Sequence, residues 1–123
     1  MSHIVSIKTQ VRDAAAVSAA CERLNLAPPV TRAVKLYSST VTGLAVQLPA
    51  WTYPIVCDLA SGEVKFDDFG GRWGEKAHLD RFLQMYACEV TKIEARKKGY
   101  AVTEQPQHDG SIKLTIQVNG GAA

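Results

Sequence analysis

Five residues in the middle of the chain are of the types that bind metal ions or transfer protons. They are Asp58, Asp67, Asp68, Glu75 and His78. A strand and the loop after its partner strand can bring carboxylates together, and Glu75 and His78 share one face of a predicted helix. With Arg72 they would form a small ligand-binding, metal-binding or hydrolytic site. Turn chemistry and the helix dipole also favour acidic residues at these positions, so both interpretations stay open.

A glycine-rich segment, Phe-Gly-Gly-Arg-Trp-Gly at residues 69–74, precedes that helix. The N–H groups of a helix start attract anions, and Arg72 would add a fork of donors. The segment lacks the spacing of a nucleotide-binding P-loop, and the strand before it belongs to an antiparallel meander. The favoured interpretation is a hinge that lets Phe69 and Trp73 dock on a partner.

The thiols and imidazoles form no recognisable motif. The three cysteines are Cys21, Cys57 and Cys88, an odd number among apolar neighbours, as expected for reduced structural thiols in a reducing compartment. The three histidines are His3, His78 and His108, and their spacing in the sequence is not that of metal ligands. We therefore predict no cofactor.

Charge and hydropathy exclude several classes of partner. Fourteen Lys and Arg against twelve Asp and Glu leave a formal charge of +2, too balanced to predict nucleic acid or an anionic membrane as partner. Basic residues do cluster at positions 92 and 96–98, but cations at a helix end complement its dipole, and no interleaved aromatics accompany them. No apolar run approaches the ~20 residues that span a bilayer, and the start does not resemble a signal peptide. These features predict a cytoplasmic protein.

Large aromatic residues occur in or beside irregular segments, at Trp51, Tyr53, Phe69 and Trp73. Aromatic residues in loops are enriched at interfaces, where rigid apolar area loses its water. They can equally seal the open edge of a sheet as a minor part of the core. With Arg72, these four are the candidate residues of a protein interface.

The periodicity predicts an alternation of strands and helices. A first strand over residues 3–9 precedes a helix that begins after Asp13 and ends at Asn25. Two strands over residues 32–38 and 42–48, joined by residues 39–43, come next. A hairpin with strands at 53–59 and 63–67 then turns at residues 60–62, where Gly62 supplies the positive φ of a tight turn.

The second half contains a long helix and a hairpin. The helix spans roughly two dozen residues before Gly99, with an apolar stripe at positions 77, 79, 82, 83, 86, 90 and 93. In the hairpin, over residues 100–118, apolar and polar residues alternate from Ile112 to Val118, as in a strand with one wet face. Asp109 and Gly110 favour a two-residue primed turn between its strands.

Together these elements predict an α+β two-layer sandwich in one domain, residues 1–123. The sheet is mainly antiparallel, and a short N-terminal helix and one long helix lie on one of its faces. The other face is predicted to remain open to solvent or to a partner.

Several short segments, in this order and spacing, resemble those of a known family. The segments are residues 1–3, 7–9, 13, 56–58, 82–87, 98–100 and 109–114. The chain is similar over nearly its full length to the domain-of-unknown-function family that includes the hypothetical chloroplast open reading frame thirty-five proteins of plastids and cyanobacteria. The resemblance implies a small cytoplasmic or stromal protein with no settled activity, cofactor or catalytic residue. It also implies an accessory role beside AAA-type ATPases. The central segment, with Pro28, Pro29 and residues 49–51, departs from the plastid type.

These observations predict a non-catalytic accessory or assembly module. Its partner would be another protein, either a second copy of the chain or an AAA-type ATPase. The contact surface would be the open sheet face, an edge strand and the loops that carry Trp51 and Trp73. The alternatives are the site around Asp58 and, less favoured, a phosphate-backbone contact at the basic helix end.

Overall fold

The structure, a computed structural model, describes residues 4–7, 10–37 and 39–118. Seven strands and two α-helices occur in this part, in the order β1 (Ile4–Ile7), α1 (Ala14–Arg23), β2 (Val30–Lys35), β3 (Thr40–Val46), β4 (Ile55–Asp58), β5 (Glu63–Asp67), α2 (Lys76–Lys97), β6 (Ala101–Pro106) and β7 (Ile112–Gln117). A short 3-10 helix, Phe69–Gly71, precedes α2. Neither α-helix combines the length and apolar character that a bilayer crossing requires.

The first five strands form one antiparallel sheet in the order β1-β5-β4-β3-β2. The register places Leu44 opposite Cys57 and Cys57 opposite Val64, so their side chains share one face. On that face the strands and both helices bury one apolar cluster, in which Val46, Ile55 and Phe82 are fully buried. The predicted α+β fold, with an antiparallel sheet and both helices on one face, is confirmed.

Helix α1 is delimited by local sequence signals, as predicted. The Asp13 side chain accepts a hydrogen bond from the N–H of Ala16, which satisfies one of the unpaired donors of the first turn. At the other end Asn25 adopts a left-handed φ of 57°, its N–H donates to Glu22 O, and the N–H of Leu26 donates to Cys21 O. This pair of bonds is a Schellman motif, which holds Leu26 against the end of the helix.

Helix α2 ends as predicted and contacts both the main core and the final hairpin. Gly99 takes the left-handed φ of 76° just after its last turn. Leu79 and Phe82 face the five-stranded sheet and are fully buried. Strands β6 and β7 also contact α2 and form a separate two-stranded sheet. The single sheet inferred from the sequence is therefore two sheets.

The final hairpin is fastened to the helices by charged and polar contacts. Arg23 of α1 makes two hydrogen bonds to Glu104 of β6, at 2.7 and 2.9 Å, and one to Glu89 of α2. Lys92 lies 3.2 Å from both carboxylates. Hydrogen bonds, first of all from Arg23, lower the pKa of Glu104. At the tip, Gln84 Nε2 donates to Gly110 O at 2.9 Å.

The predicted primed turn in this hairpin is wrong. The last cross-strand pair is Pro106 with Ile112, which leaves a five-residue loop. Gly110 has a φ of 89°, but Asp109 is not among the residues with positive φ, whereas a type I′ turn needs it at both central positions. Asp109 instead accepts hydrogen bonds from the N–H and hydroxyl of Ser111. Its side chain thus stabilises a wider loop.

Strand limits differ from the sequence-based limits where prolines or loops intervene. The predicted linker at 39–43 belongs largely to β3, because Thr40 and Val41 pair with β2. Strand β4 begins after Pro54, which has no N–H to offer a neighbouring strand, and ends before Leu59. The predicted strand ends at His3, Thr9 and Ser38 lie outside the described residues.

Tyr86 anchors the segment between β1 and α1, and its hydroxyl carries a testable prediction. The oxygen accepts from the N–H groups of Arg12 (3.0 Å) and Asp13 (3.1 Å) and donates to Gln10 O (3.3 Å). Tyr86→Phe leaves two backbone donors without their protein acceptor, so we expect a loss of about 1–3 kcal/mol in urea-induced unfolding. The Tyr100 hydroxyl makes no hydrogen bond to the described residues, so Tyr100→Phe is the matched control. Equal losses in the two variants would contradict this account.

Candidate functional site

Four aromatic rings from three separate segments meet on the sheet face opposite the helices. We call Tyr37, Tyr53, Phe69 and Trp73 the aromatic corner. Trp73 lies at its centre, stacked on Phe69 with ring centroids 4.6 Å apart. The rings of Tyr37 and Tyr53 lie 5.4 and 5.5 Å from that of Trp73. Tyr37 remains 58% exposed, so the corner combines internal ring contacts with accessible apolar surface.

Arg72 adds a cation to this corner. Its guanidinium carbon lies 5.4 Å from the centroid of the Phe69 ring, within the range of a cation–π interaction. Phe69 is therefore covered on one side by Trp73 and contacted by Arg72. Four of the five interface candidates, Tyr53, Phe69, Arg72 and Trp73, are thus brought together by the fold.

The loop that carries Phe69 and Trp73 is held in an unusual backbone conformation. Phe69, Gly70 and Gly71 have successive φ values of 46°, 62° and 96°. Left-handed φ is costly for a residue with a side chain, and such strain persists only where the surroundings enforce it. Here the N–H groups of Gly71 and Trp73 donate to Asp68 O, and Trp73 O accepts from Thr52 N at 2.8 Å. The predicted hinge is, in this structure, a hydrogen-bonded turn.

The aromatic corner lies next to a second, smaller apolar cluster on the same sheet face. This cluster consists of Val34, Leu36, Ala45 and Val56, all buried, and Tyr53 packs against it. The face predicted to be open is therefore partly covered by the chain's own residues. Beyond the cluster, Val30 is 55% exposed and Arg32 is also exposed. The accessible part of this face lies toward β2.

Trp51, the fifth interface candidate, does not join the corner. It is 5% exposed and belongs to the main core, with its ring edge-on to Phe66 at 5.6 Å. Its Nε1 donates to Glu75 O at 3.1 Å. Gly74 lies directly against the ring, where a Cβ atom would overlap it. The structure thus places Trp51 in the interior rather than on a contact surface.

The acidic candidates have separate local roles. Asp58 accepts from the N–H groups of Ala60 and Ser61 in the β4–β5 turn, and hydrogen bonds from Ser61 lower its pKa. Asp68 supports the turn after β5 through its carbonyl oxygen, and Glu75 is the N-cap of α2 without a side-chain capping bond. Within residues 4–7, 10–37 and 39–118, no three His, Cys, Asp or Glu residues are placed to hold a metal ion.

Asp67 is the buried member of this set. It is fully inaccessible, and its Oδ1 accepts from the N–H of Phe69 at 3.3 Å, while Oδ2 has no hydrogen-bond partner in the described part of the chain. A buried carboxylate oxygen without a partner is costly. Asp67 therefore supports the strained Phe69 turn from inside the core, through Oδ1.

His78 lies in the first turn of α2, and its backbone N–H donates to Glu75 O. It lines a pocket with Arg81 of α2 and with residues that follow α1 and β3. The cysteines are buried thiols without a disulfide, as expected from the sequence. Burial raises the pKa of Cys21 to about 11 and that of Cys57 to about 12, which suppresses the reactive thiolate.

Comparisons of the chain with protein-family models, curated proteins and solved structures found no match. The family resemblance inferred from the sequence therefore stays a prediction.

Tyr37 is the member of the corner that the sequence analysis missed. It lies two residues after the end of β2, and in the sequence it resembles an ordinary residue of a strand end. Tyr37 and Trp73 lie 36 residues apart in the sequence, so no local sequence pattern predicts their contact. A large aromatic residue near the end of the predicted strand over residues 32–38 was the available signal.

Proposed function

We propose that this chain is a non-catalytic accessory module that binds another protein chain through the aromatic corner and the edge of β2. The observation that carries the proposal is the position of exposed apolar residues at both ends of an edge strand. Val30 begins β2 and Tyr37 follows it, with exposures of 55% and 58%. Exposed apolar residues beside an unpaired strand edge are a template for another chain.

The backbone of β2 has donors and acceptors to offer. Within the described residues only β3 pairs with this strand. The N–H of Leu36 donates toward β3, to Ser39 O at 2.8 Å. Because the direction of backbone groups alternates along an antiparallel strand, those of Thr31, Ala33 and Lys35 point away from β3. An extended segment of a partner can hydrogen-bond to these three residues.

A second copy of the chain is the partner that the edge fits best. A twofold axis at Ala33 pairs β2 antiparallel with β2 of the second copy. The same face of each sheet then lies on the same side of the joined sheet. This pairing places Arg32 beside Val34 and Lys35 beside Thr31, so no like charges are directly opposite. The same register brings Val30 next to Leu36 and the exposed Tyr37 toward Pro29 of the second copy. Two exposed apolar ends would thus be covered at once.

Sedimentation equilibrium tests this contact with one substitution. We expect the unmodified protein to form dimers and Ala33→Pro to be monomeric, because proline removes the central outward N–H without touching the β2–β3 bonds. Ala33→Val, which keeps that N–H, should remain dimeric. The melting temperature of Ala33→Pro shows whether the fold survives. An unmodified protein that stays monomeric at high concentration, or a folded Ala33→Pro dimer, would contradict the proposal.

A further inference from the structure

A second surface, on the helix side of the sheet, has the composition of a small-molecule site. A pocket of about 210 Å³ lies between the end of α1, the segment after β3 and the first turns of α2. Its lining residues are Leu24, Leu26, Leu48, Pro49, His78 and Arg81. Drug-sized ligands occupy pockets of about 300–1,000 Å³, so this volume suits a smaller molecule.

The apolar part of the pocket has a fixed shape. Leu48 is 1% exposed and forms part of the core. Leu26 is held by its N–H bond to Cys21 O at 2.8 Å, in the Schellman motif that ends α1. Leu24 is the C-cap residue of the same helix and packs against the core. Aliphatic walls that the fold already holds in place favour an aliphatic ligand group, because the lining side chains lose little conformational entropy on binding.

The remaining part of the lining is cationic or hydrogen-bonding. Arg81 is exposed and His78 is half-buried, and they lie three residues apart on one side of α2. No acidic residue lines the pocket, and no salt bridge joins Arg81 to a carboxylate among the described residues. One guanidinium charge next to an apolar pocket is complementary to one carboxylate on an aliphatic chain.

Nearby carboxylates do not neutralise this arginine. A shallower surface beside the pocket shares His78 and Arg81 and also includes Asp80 and Asp109. Asp80 pairs with Lys76 at 3.4 Å, and Asp109 Oδ1 accepts two hydrogen bonds from Ser111. Both acidic groups thus have partners of their own, which leaves Arg81 available to an anion.

We propose that this pocket binds a small aliphatic monocarboxylate, with its tail among Leu24, Leu26 and Leu48 and its carboxylate at Arg81 and His78. This site is separate from the β2 edge and does not rest on the proposed protein contact. An experiment can therefore refute the proposed ligand site without refuting the proposed protein contact, and the reverse also holds.

Titration calorimetry with hexanoate, butanoate and hexanol tests the proposal. We expect saturable hexanoate binding, about fifteen times tighter than that of butanoate, because each buried methylene contributes about fourfold. Hexanol should bind more weakly, since it lacks the charge that Arg81 recognises. Equal affinities for hexanoate and hexanol, or no saturable binding of hexanoate, would overturn the assignment.

Two arginine substitutions locate the site. Arg81→Gln should weaken hexanoate binding by about tenfold or more and leave hexanol binding unchanged, because it removes the charge but keeps a side chain of similar length. Arg96→Gln, an exposed arginine near the other end of α2, should change neither. Leu26→Phe should weaken both ligands by filling the pocket, with the melting temperature as the check on folding. An Arg81→Gln protein with unchanged hexanoate affinity would refute the site.

Discussion

Replacing Trp51 by alanine is expected to lower the free energy of unfolding by about 3–5 kcal/mol, the range for truncating a large buried aromatic residue. The side chain is 5% exposed, contacts Phe66 edge-on and donates its Nε1 hydrogen to Glu75 O. Alanine removes the buried area, leaves a cavity and leaves the carbonyl of Glu75 without this donor. Urea titration followed by circular dichroism measures the loss.

The matched control for this variant is Tyr37→Ala. Tyr37 is also aromatic and lies in the corner, but it is 58% exposed. Its truncation should cost only about 1 kcal/mol, because it removes the ring contact with Trp73 while most of its surface is in water in the folded state already. Equal losses at the two positions would show that Trp51 is not the interior residue described above.

Trp51 illustrates what the sequence leaves undetermined. It stands between two prolines in an irregular segment, a context shared by aromatic residues of cores and of interfaces. The difference is tertiary: the ring lies between Phe66, 15 residues later in the sequence, and Gly74, 23 residues later. Neither contact leaves a periodic pattern, so the sequence supported both interpretations.

Elements fixed by short-range chemistry were predictable. The Asp13 cap, the left-handed Asn25 and the glycine after α2 each depend on residues within one helical turn, and all three are confirmed. Errors arose where pairing with another strand sets the limits of a strand, as in β3. They also arose where a side chain stabilises a different turn, as at Asp109.

In the aromatic corner, too, contacts between residues close in sequence were predictable and contacts between distant residues were not. Phe69, Arg72 and Trp73 lie within five residues of one another, and the sequence grouped them correctly. Their contacts with Tyr53 and Tyr37 depend on sheet order and register. The predicted metal site required carboxylates from different elements to converge. Asp58 and Asp67 instead accept hydrogen bonds from backbone N–H groups two residues later, in their own turns.

Adding a single methyl group at Gly74 is expected to destabilise the protein by about 1–3 kcal/mol, the usual cost of overpacking a core. A Cβ atom at this position would lie 2.7 Å from Cγ of Trp51 and closer still to Cδ2 and Cε2. Gly74 is not in the left-handed region, so backbone strain does not account for the effect. The free energy of unfolding of Gly74→Ala, from urea titration, tests the clash.

A double-mutant cycle separates this clash from other causes. In the Trp51→Ala background the obstructing ring is absent, and Gly74→Ala should then be neutral or stabilising by about 0.4–1 kcal/mol, because alanine restricts the unfolded chain more than glycine does. The substitution at Gly74 thus changes the sign of its effect with the residue at position 51. A loss of the same size in both backgrounds would mean that something other than the indole ring excludes a side chain at Gly74.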